Sequence, residues 1–288
     1  MEFRTLNYFL TVVQEKSISQ AAKVLHISQP ALSRQLKQLE TELDTKLFNR
    51  GHREIHLTEE GRYLANRGKK ILSLVDKTTK NITTETEVAG EITIGGGETK
   101  SMKLVAEIID HLVKQYPEVK VNLYSGNADD VLEKLEQGLI DFGLVIDPVE
   151  KQKYAYKKLP AADQWGLLIR QDHFLASKKS IIPADLVDVP LYVSSQTYNN
   201  NKIAEWCGES LDSLHIIGTY NLLYNASLMV EQGVAGALCI AGIVNTVNTN
   251  LKFIPLQPKL KSGINIVWKK GQNLSKAGKV FVKYLAEI

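Results

Sequence analysis

The stretch from Ser17 to Arg53 constrains the fold of this chain more than any other, because its polar and apolar residues fit two helices joined by a tight turn. A short helix is predicted over 20–25, followed by a turn at 26–27. Ser28 can cap the second helix, since its hydroxyl can accept an amide proton that has no partner within the helix. Pro30 falls in the first turn, where its missing N–H costs little, and the helix is predicted to reach about residue 43.

Both helices have an apolar side that is predicted to form one core. Its members are Ile18, Ala21, Ala22, Leu25, Ile27, Leu32, Leu36 and Leu39. The outer face of the second helix carries polar side chains instead, namely Gln29, Ser33, Arg34 and Lys37. A helix-turn-helix with a hydrogen-bonding outer face has the shape and the chemistry to enter the major groove of DNA.

The flanking segments complete a winged domain. Residues 4–15 have apolar positions at helical spacing, which predicts the first helix of a three-helix core. After the second helix of the motif, Gly51 lies between two short extended pieces within 50–57, a pattern that predicts a β-wing.

A long helix without proline is predicted from Thr58 to about Glu87. Its apolar residues recur in a partial heptad pattern that includes Leu64, Ile71, Val75 and Ile82. A solvated helix with one apolar stripe needs a partner to cover that stripe. We expect the same helix of a second copy, which makes this segment a dimerisation helix; the alternative partner is the C-terminal part of the same chain.

From Glu91 onward the pattern predicts alternating strands and helices, first in βαβαβ order and then in a second βα series that begins with a strand over 164–170. This order implies a mostly parallel sheet with helices on its faces. Two such halves that share a cleft are typical of ligand binding. The predicted fold class is α/β with an all-α N-terminal part, divided into a DNA-binding domain over 1–58, a linker helix over 59–88 and a ligand-binding domain over 89–288.

Composition and charge exclude several classes of protein. No stretch approaches the roughly 18 apolar residues of a membrane span, and the N-terminal residues lack the features of a signal peptide. The two cysteines, Cys207 and Cys239, have no paired spacing, so we expect core packing rather than a disulfide, and a cytoplasmic protein. Residues 1–80 carry 14 Lys and Arg against 9 Asp and Glu, which places the basic excess with the predicted DNA-facing domain.

Motifs for catalysis and for metal or nucleotide binding do not match. The Gly-rich segment over 95–101 departs from a phosphate-binding loop because Thr99, and not a glycine, precedes its lysine. His52 and His56 lie on the predicted wing without a third ligand nearby. We find no Gly-x-Ser-x-Gly nucleophile motif. We therefore expect no catalytic residues, no metal site and no cofactor.

Residues 3–61 closely resemble the LysR-type transcriptional regulators. The resemblance rests on FLTVVQEKSISQAAKVLHISQPALSRQLKQLETELDTKLFNR and LTEEG, and continues more weakly through LVAEIIDHLVKQYPEVKVNL, LEQGLIDFGLV and LMVEQGVAGALCIA. It implies a winged helix-turn-helix that binds DNA, a linker helix that dimerises, and frequent assembly as tetramers. It also implies an effector domain similar to periplasmic binding proteins, with subdomain one over about 91–160 and 265–288 and subdomain two over about 161–264.

The resemblance further implies which residues face DNA. The positions that match the family's recognition helix are Ser28, Gln29, Pro30, Ser33 and Arg34. Gln29 can pair with an adenine edge and Arg34 with guanine or phosphate, while Lys37 is expected at phosphate. On the wing, Arg50 and Arg53 suit the minor groove, whose negative potential attracts guanidinium groups.

In this family the effector meets the loop after the first strand of the effector domain and a segment after the first core strand of subdomain two. These places match Thr99, Lys100 and Ser101, and Ser194, Ser195, Gln196 and Thr197. Ser125 and Asp147 end neighbouring strands and can line the same cleft. Hydroxyls, helix-start amides and Lys100 favour negative charge, so the expected effector is a small anion.

The sequence is compatible with three functions. The leading one is a LysR-type regulator whose promoter binding or DNA bending changes when an effector binds between the two subdomains. Its expected partners are double-stranded DNA, the effector, further copies of itself and RNA polymerase, and no membrane. A solute-binding module of transport and an enzyme that uses the cleft are the alternatives. The helix-turn-helix disfavours the first alternative, and the missing acid–base or metal constellation disfavours the second.

Overall fold

A computed structural model of the chain describes residues 1–50, 55–82, 88–147, 152–199, 202–208 and 214–288. The chain divides into two compact units, Met1–Thr83 and Thr84–Ile288. None of the helices within the described residues is long and apolar enough to cross a membrane.

The N-terminal unit is a winged helix-turn-helix followed by a long helix. Its elements are α1 (Phe3–Glu15), α2 (Ile18–Val24), α3 (Gln29–Glu42), β1 (Phe48–Arg50), β2 (Ile55–Leu57) and α4 (Glu59–Ile82). The strands β1 and β2 pair antiparallel, which confirms the predicted wing. Residues 83–87, predicted as the end of the long helix, lie outside the described residues.

Serine caps and one left-handed residue shape the helix-turn-helix. Ser17 caps α2 by accepting from the Gln20 N–H at 3.3 Å, and Ser28 caps α3 by accepting from the Ala31 N–H at 3.3 Å. Between the two helices, His26 adopts a φ of 54°, which turns the chain sharply at the predicted place.

The core of this unit contains the apolar residues that the sequence predicts. Its buried members are Leu6, Phe9, Val12, Ala21, Ala22, Leu32, Leu36, Leu39, Leu47 and Ala65. Ile18, Leu25 and Ile27 are partly buried against the same core. All three motif helices are therefore stabilised mainly by one apolar cluster.

The wing and the start of α4 are attached through polar contacts and one close backbone approach. Glu40 of α3 is buried, and its carboxylate accepts from the Leu47 N–H at 2.8 Å. Thr58 donates to the carbonyl of Lys46 at 2.7 Å and accepts from the Gly61 N–H at 2.9 Å, so it also caps α4. A Cβ at Gly61 would lie 2.1 Å from the carbonyl oxygen of Leu47, so this contact requires glycine.

The apolar stripe of α4 meets two environments. In its first half, Leu64 and Ile71 are partly buried against the N-terminal core, and Gly68 lies against Leu6. Farther along, Val75 is half-buried and Ile82 is 71% exposed, and Leu74, next to the predicted stripe, is 44% exposed. The first half of the stripe is thus covered within its own unit, and the second half offers exposed apolar side chains.

The C-terminal unit combines a sheet with helices. Its helices are α5 (Met102–Gln115), α6 (Ala128–Glu136), α7 (Ser195–Asn199), α8 (Lys202–Cys207), α9 (Leu223–Glu231) and α10 (Lys276–Ala286). Its strands are β3 (Gly90–Gly96), β4 (Val119–Ser125), β5 (Phe142–Ile146), β6 (Tyr154–Arg170), β7 (Leu191–Ser194), β8 (Ile216–Tyr220), β9 (Gly236–Ile240), β10 (Leu251–Pro255) and β11 (Lys261–Lys269). Two short 3-10 helices, Phe174–Ser177 and Pro183–Asp185, follow β6.

The strand order is β4-β3-β5-β11-β6-β9-β7-β8, with β10 paired to β6. The first half of the unit contains β3, β4, β5 and most of β11, and the second half contains β7, β8, β9 and β10. Two long strands carry the chain between the halves, β6 outward and β11 back, and they pair with each other at Asp163↔Ser262. Each half has its own core: Phe142 and Phe281 pack with ring centroids 4.6 Å apart in the first, and Leu167 and Leu238 lie in the second.

This sheet is mixed, so the prediction of a mostly parallel sheet is wrong. The pairs β3–β4, β3–β5, β7–β8 and β7–β9 are parallel, whereas β5–β11, β6–β11, β6–β9 and β6–β10 are antiparallel. The strand predicted over 164–170 begins at Tyr154. Its earlier part contains charged residues and Pro160 and lacks an apolar run, so periodicity did not reveal it.

Candidate functional site

The outer face of α3 presents the polar side chains that the sequence predicts for DNA contact. Gln29, Arg34 and Lys37 are exposed, while Leu32 and Leu36 are buried in the core of the unit. The helix therefore separates a packing side from a hydrogen-bonding side. Such a helix can enter a major groove without losing its own core contacts.

The start of α3 is ordered by its own side chains. Ser28 is exposed and caps the helix, and Pro30 occupies the first turn. The Gln29 Nε2 donates to the Ser33 hydroxyl at 3.2 Å. Because this bond lies on the exposed face, pairing of the Gln29 amide with a base would replace an interaction that the side chain already makes.

The wing strands β1 and β2 pack against the same core through Phe48, Ile55 and Leu57. Arg50 closes β1, and its partner in the strand pair is Ile55 of β2. Arg53, the second wing residue predicted to reach DNA, lies outside the described residues. The buried Glu40 carboxylate accepts from the N–H groups of Leu47 and Phe48, so it connects α3 to the start of the wing.

A cavity of about 320 Å³ lies between the two halves of the C-terminal unit. Both halves line it. The first half contributes Gly97, Glu98, Asn127, Ala128, Asp129, Leu132, Ile146 and Asp147, and the second contributes Trp165, Ser194, Gln196, Thr197, Lys202, Tyr220, Asn221, Leu222, Leu223, Ile240 and Ile243. A mixed lining of this size suits a small molecule with both polar and apolar parts.

Asp147 enters the cavity from the end of β5. One of its carboxylate oxygens accepts from the Asn265 Nδ2 at 2.7 Å, and the other lies 3.6 Å from the Lys158 Nζ. Both partners belong to the two crossing strands, so Asp147 is held where the halves join.

Lys202 enters the cavity from the second half, at the start of α8. Its Nζ donates to the Ser262 hydroxyl at 2.6 Å, and the Trp165 indole donates to the same oxygen at 2.8 Å. Burial lowers the pKa of the Lys202 ammonium group, and the carboxylates of Asp147 and Glu205 oppose that shift. The two carboxylates therefore offset only part of the cost of burying the Lys202 charge.

Glu98 links the two halves across the cavity. Its carboxylate accepts from the Leu223 N–H at 2.6 Å, which is the first backbone amide of α9. Leu222, at the N-cap position of α9, provides no side-chain cap. Glu98 therefore satisfies a helix start that its own residues leave open.

The hydroxyls at the start of α5 are bound by an acidic residue of β6. Ser101 Oγ donates to one Asp163 carboxylate oxygen at 2.8 Å, and Thr99 Oγ1 donates to the other. Asp163 and Ser101 are both buried. A buried carboxylate needs such donors, because burying an unpaired charge is costly.

The residues predicted to contact an effector are only partly brought together. Asp147, Ser194, Gln196 and Thr197 line the cavity. Thr99 and Ser101 bond Asp163, Lys100 is exposed beside Gly242, Ser125 is exposed at the end of β4, and Ser195 begins α7. Effector contact stays a prediction for this set.

Sequence reasoning missed several lining residues. Asn221 directly follows β8, and Asn127 lies two residues after the end of β4, so the strand-end argument that selected Asp147 could also have found them. Trp165 and Lys202 gave no such signal, because the first lies inside a strand and the second inside a helix. Among the described residues, no three His, Cys, Asp or Glu side chains are grouped so that they could hold a metal ion.

Family models of known proteins match this chain in two stretches. Family models described as "Bacterial regulatory helix-turn-helix protein, lysR family" and "LysR substrate binding domain" match residues 3–62 and 85–288. The chain is 27% identical over 240 residues to the HTH-type transcriptional regulator YvbU of Bacillus subtilis (83% of this chain, 81% of YvbU). It is 26% identical over 277 residues to the Hca operon transcriptional activator HcaR of Escherichia coli (94% and 93%).

Solved structures show the same fold. The crystal structure of full-length CbnR with its target DNA superposes with a TM-score of 0.77 at 20% identity, covering 100% of this chain and 99% of that one. The predicted winged helix-turn-helix with an α/β effector domain is therefore confirmed. With both family models matched in order along its length, the chain belongs to the LysR family of transcriptional regulators, whose members bind DNA and small-molecule effectors and are not enzymes.

Proposed function

We propose that this regulator binds promoter DNA by placing α3 in the major groove, with Ser28, Gln29, Pro30, Ser33 and Arg34 toward bases and backbone. Lys37 contacts phosphate, and Arg50 and Arg53 of the wing reach the minor groove. The observation that carries this proposal is the exposed polar face of α3 above a buried leucine side. Its amide and guanidinium groups match the donors and acceptors of adenine and guanine.

The test is fluorescence anisotropy of the full chain with DNA from upstream of its own gene, measured across a salt series with random DNA as the control. Arg34→Ala is expected to weaken specific binding by about 1–3 kcal/mol if Arg34 reads a base. Lys37→Ala is expected to weaken both DNAs similarly and to lower the salt dependence. Arg170→Ala, which removes a partly exposed arginine of the C-terminal unit, is the matched control. If Arg34→Ala bound the specific DNA as tightly as the native chain does, the assignment of Arg34 as a DNA contact would be wrong.

The same regulator is proposed to dimerise through α4 and to assemble further into a tetramer. The exposed apolar residues Leu74 and Ile82 support this, because isolated helices seldom leave such a stripe in water. Sedimentation of Ile82→Glu should show a lower mass than the native chain. Ser73→Glu, at an exposed position off the heptad stripe, should sediment as the native protein does. Equal masses for all three would contradict the dimer contact.

The effector is proposed to bind in the cavity between the halves of the C-terminal unit and to shift them relative to each other. The two crossing strands, β6 and β11, are the hinge that such a shift requires. A ligand that prefers one arrangement changes the spacing of the DNA-binding domains in the oligomer, and hence DNA bending. Contact with RNA polymerase would then change, and the natural compartment for all these partners is the cytoplasm.

A further inference from the structure

Three helix starts in the first and second halves of the C-terminal unit already hold carboxylates of the protein itself. At α5, Thr99 and Ser101 donate to Asp163. At α9, the first N–H donates to Glu98. Helix starts and hydroxyls are the places where an external anion would be expected to bind, because their partial positive charge is otherwise unmatched.

The third helix start belongs to α6. Asn127 accepts from the Asp130 N–H at 2.9 Å, and Asp130 accepts from the Asn127 N–H at 3.3 Å, which is a complete capping box. Asn127 and the exposed Asp129 both line the cavity. The positive end of α6 is therefore compensated internally, and it adds another carboxylate to the lining.

The charged side chains of the cavity lining are mainly negative. Glu98, Asp129 and Asp147 are carboxylates, and Lys202 is the cationic residue of the lining. Asp147 and Lys202 lie close enough for their charges to interact, and Asp147 also lies 3.6 Å from the Lys158 Nζ. One Glu98 oxygen also accepts from the Leu223 N–H at the start of α9. Even so, the lining carries three carboxylates and one ammonium group, and this negative excess sets the sign of the charge that an entering ligand meets.

The remaining lining describes the body of the ligand. Apolar side chains such as Leu132, Ile146 and Ile240 stand beside the aromatic residues Trp165 and Tyr220. The cavity of about 320 Å³ is at the small end of the range for ligand sites. Apolar walls and aromatic rings suit a short organic body, and aromatic rings also attract organic cations.

We propose that the effector is a small organic molecule with a protonated amine or guanidinium group on a short apolar body, and that Glu98 and Asp129 select this group. The inference rests on the proposed function of the cavity as the effector site. It reverses the sign of charge expected from Thr99, Lys100 and Ser101, because the structure commits the two hydroxyls to Asp163 and places Lys100 outside the lining.

The experiment is thermal melting of the full chain with matched probes at constant ionic strength. The probes are benzylamine, benzyl alcohol and benzoate, and then 1,4-diaminobutane, arginine and succinate. All three tryptophans lie in the C-terminal unit, so their fluorescence reports the melting of the unit that holds the cavity. A saturable rise in Tm is expected with one or more amine-bearing probes and with none of the neutral or purely anionic ones.

Variants connect the probe to the proposed residues. Glu98→Gln keeps an oxygen that can accept from the Leu223 N–H, and Asp129→Asn alters an exposed side chain, so both should fold. Each is expected to weaken binding of the active amine about tenfold or more, since hydrogen bonds to charged groups are worth at least that factor. Asp110→Asn, which removes an exposed carboxylate of α5 outside the cavity lining, should bind the amine as the native chain does.

A rise in Tm with benzoate or succinate but with none of the amines would overturn the proposal, and so would amine binding that is unchanged in both variants. Absence of a saturable shift with every amine would also overturn it. The anisotropy assay distinguishes a failure of the inference about the effector's charge from a failure of the proposed DNA-binding function. If specific, Arg34-dependent DNA binding persists while no amine binds, the charge inference fails and the regulator function stands; if specific DNA binding is absent, the proposed function itself fails.

Discussion

The proposed DNA-binding surface of α3 and the cavity proposed to hold the effector are built in opposite ways. The six proposed contacts on α3 and its N-cap fall within ten positions, 28–37, over one core. The cavity is lined by residues that range from Gly97 to Ile243 and come from two halves joined by two crossing strands. A contiguous surface can be recognised from local pattern, whereas a cavity between halves depends on which distant residues pair. The difference also predicts that the two units respond separately to mutation.

The largest expected effect tests this independence directly. Phe9→Ala and Phe281→Ala each remove a fully buried ring, one from each unit, and should each lower the free energy of unfolding of their own unit by about 3–5 kcal/mol. Tryptophan fluorescence follows the C-terminal unit alone, while far-ultraviolet circular dichroism follows both. Phe3→Ala and Phe174→Ala, whose rings are exposed, are the matched controls and should change little. If Phe9→Ala also lowered the free energy of unfolding that tryptophan fluorescence reports, the two units would unfold together.

A smaller effect is expected from Gly61→Ala, at the join between the wing and α4. Alanine normally favours a helix over glycine by up to about 1 kcal/mol, but here its Cβ would meet the Leu47 carbonyl. We expect a net loss of about 1–3 kcal/mol in the N-terminal unit and weaker DNA binding. Ser73→Ala, at an exposed position of the same helix, is the control. A stabilised Gly61→Ala protein would show that the contact is not restrictive.

A modest effect is expected from Ser28→Ala, which removes the cap of α3. The loss should be about 1 kcal/mol of stability, because the Ala31 N–H loses its acceptor. If Ser28 also contacts DNA, affinity should fall by more than this change in stability explains. Ser17→Ala removes the equivalent cap of α2 and so serves as the comparison. Equal DNA affinities for the two variants would show that Ser28 caps the helix and does not contact DNA.

The smallest effect is expected from thiol reagents at neutral pH. Burial raises the pKa of the Cys239 thiol to about 12, so it stays protonated and unreactive, while the half-buried Cys207 is more accessible. Iodoacetamide should therefore modify Cys207 first and Cys239 only after unfolding. Above the ordinary thiol pKa of 9.0, the unfolded chain releases a proton that the folded chain keeps, so this group lowers stability as pH rises toward 12. Rapid modification of Cys239 in the folded chain would contradict its burial.

The local sequence pattern was enough to predict the secondary structure and the core of the N-terminal unit. The cap at Ser28, the turn at His26 and the buried leucines of α3 were predicted from residues close together in the sequence. The same reasoning failed at β6, whose first part carries no apolar run and forms a strand because β11 pairs with it. Strand pairing is a long-range interaction, so the partner of a strand cannot be predicted from the sequence of that strand alone.

By itself, the sequence determined the winged helix-turn-helix and the alternating elements of the effector domain, because these depend on periodicity, caps and turns within short segments. Only the tertiary structure decided where the polar groups of the cleft are directed. It gave the hydroxyls of Thr99 and Ser101 to Asp163 and the start of α9 to Glu98, across separations of more than 60 and 120 residues. Buried charges and open helix ends must find partners in the folded chain, and which partners they find depends on how the two crossing strands bring the halves together.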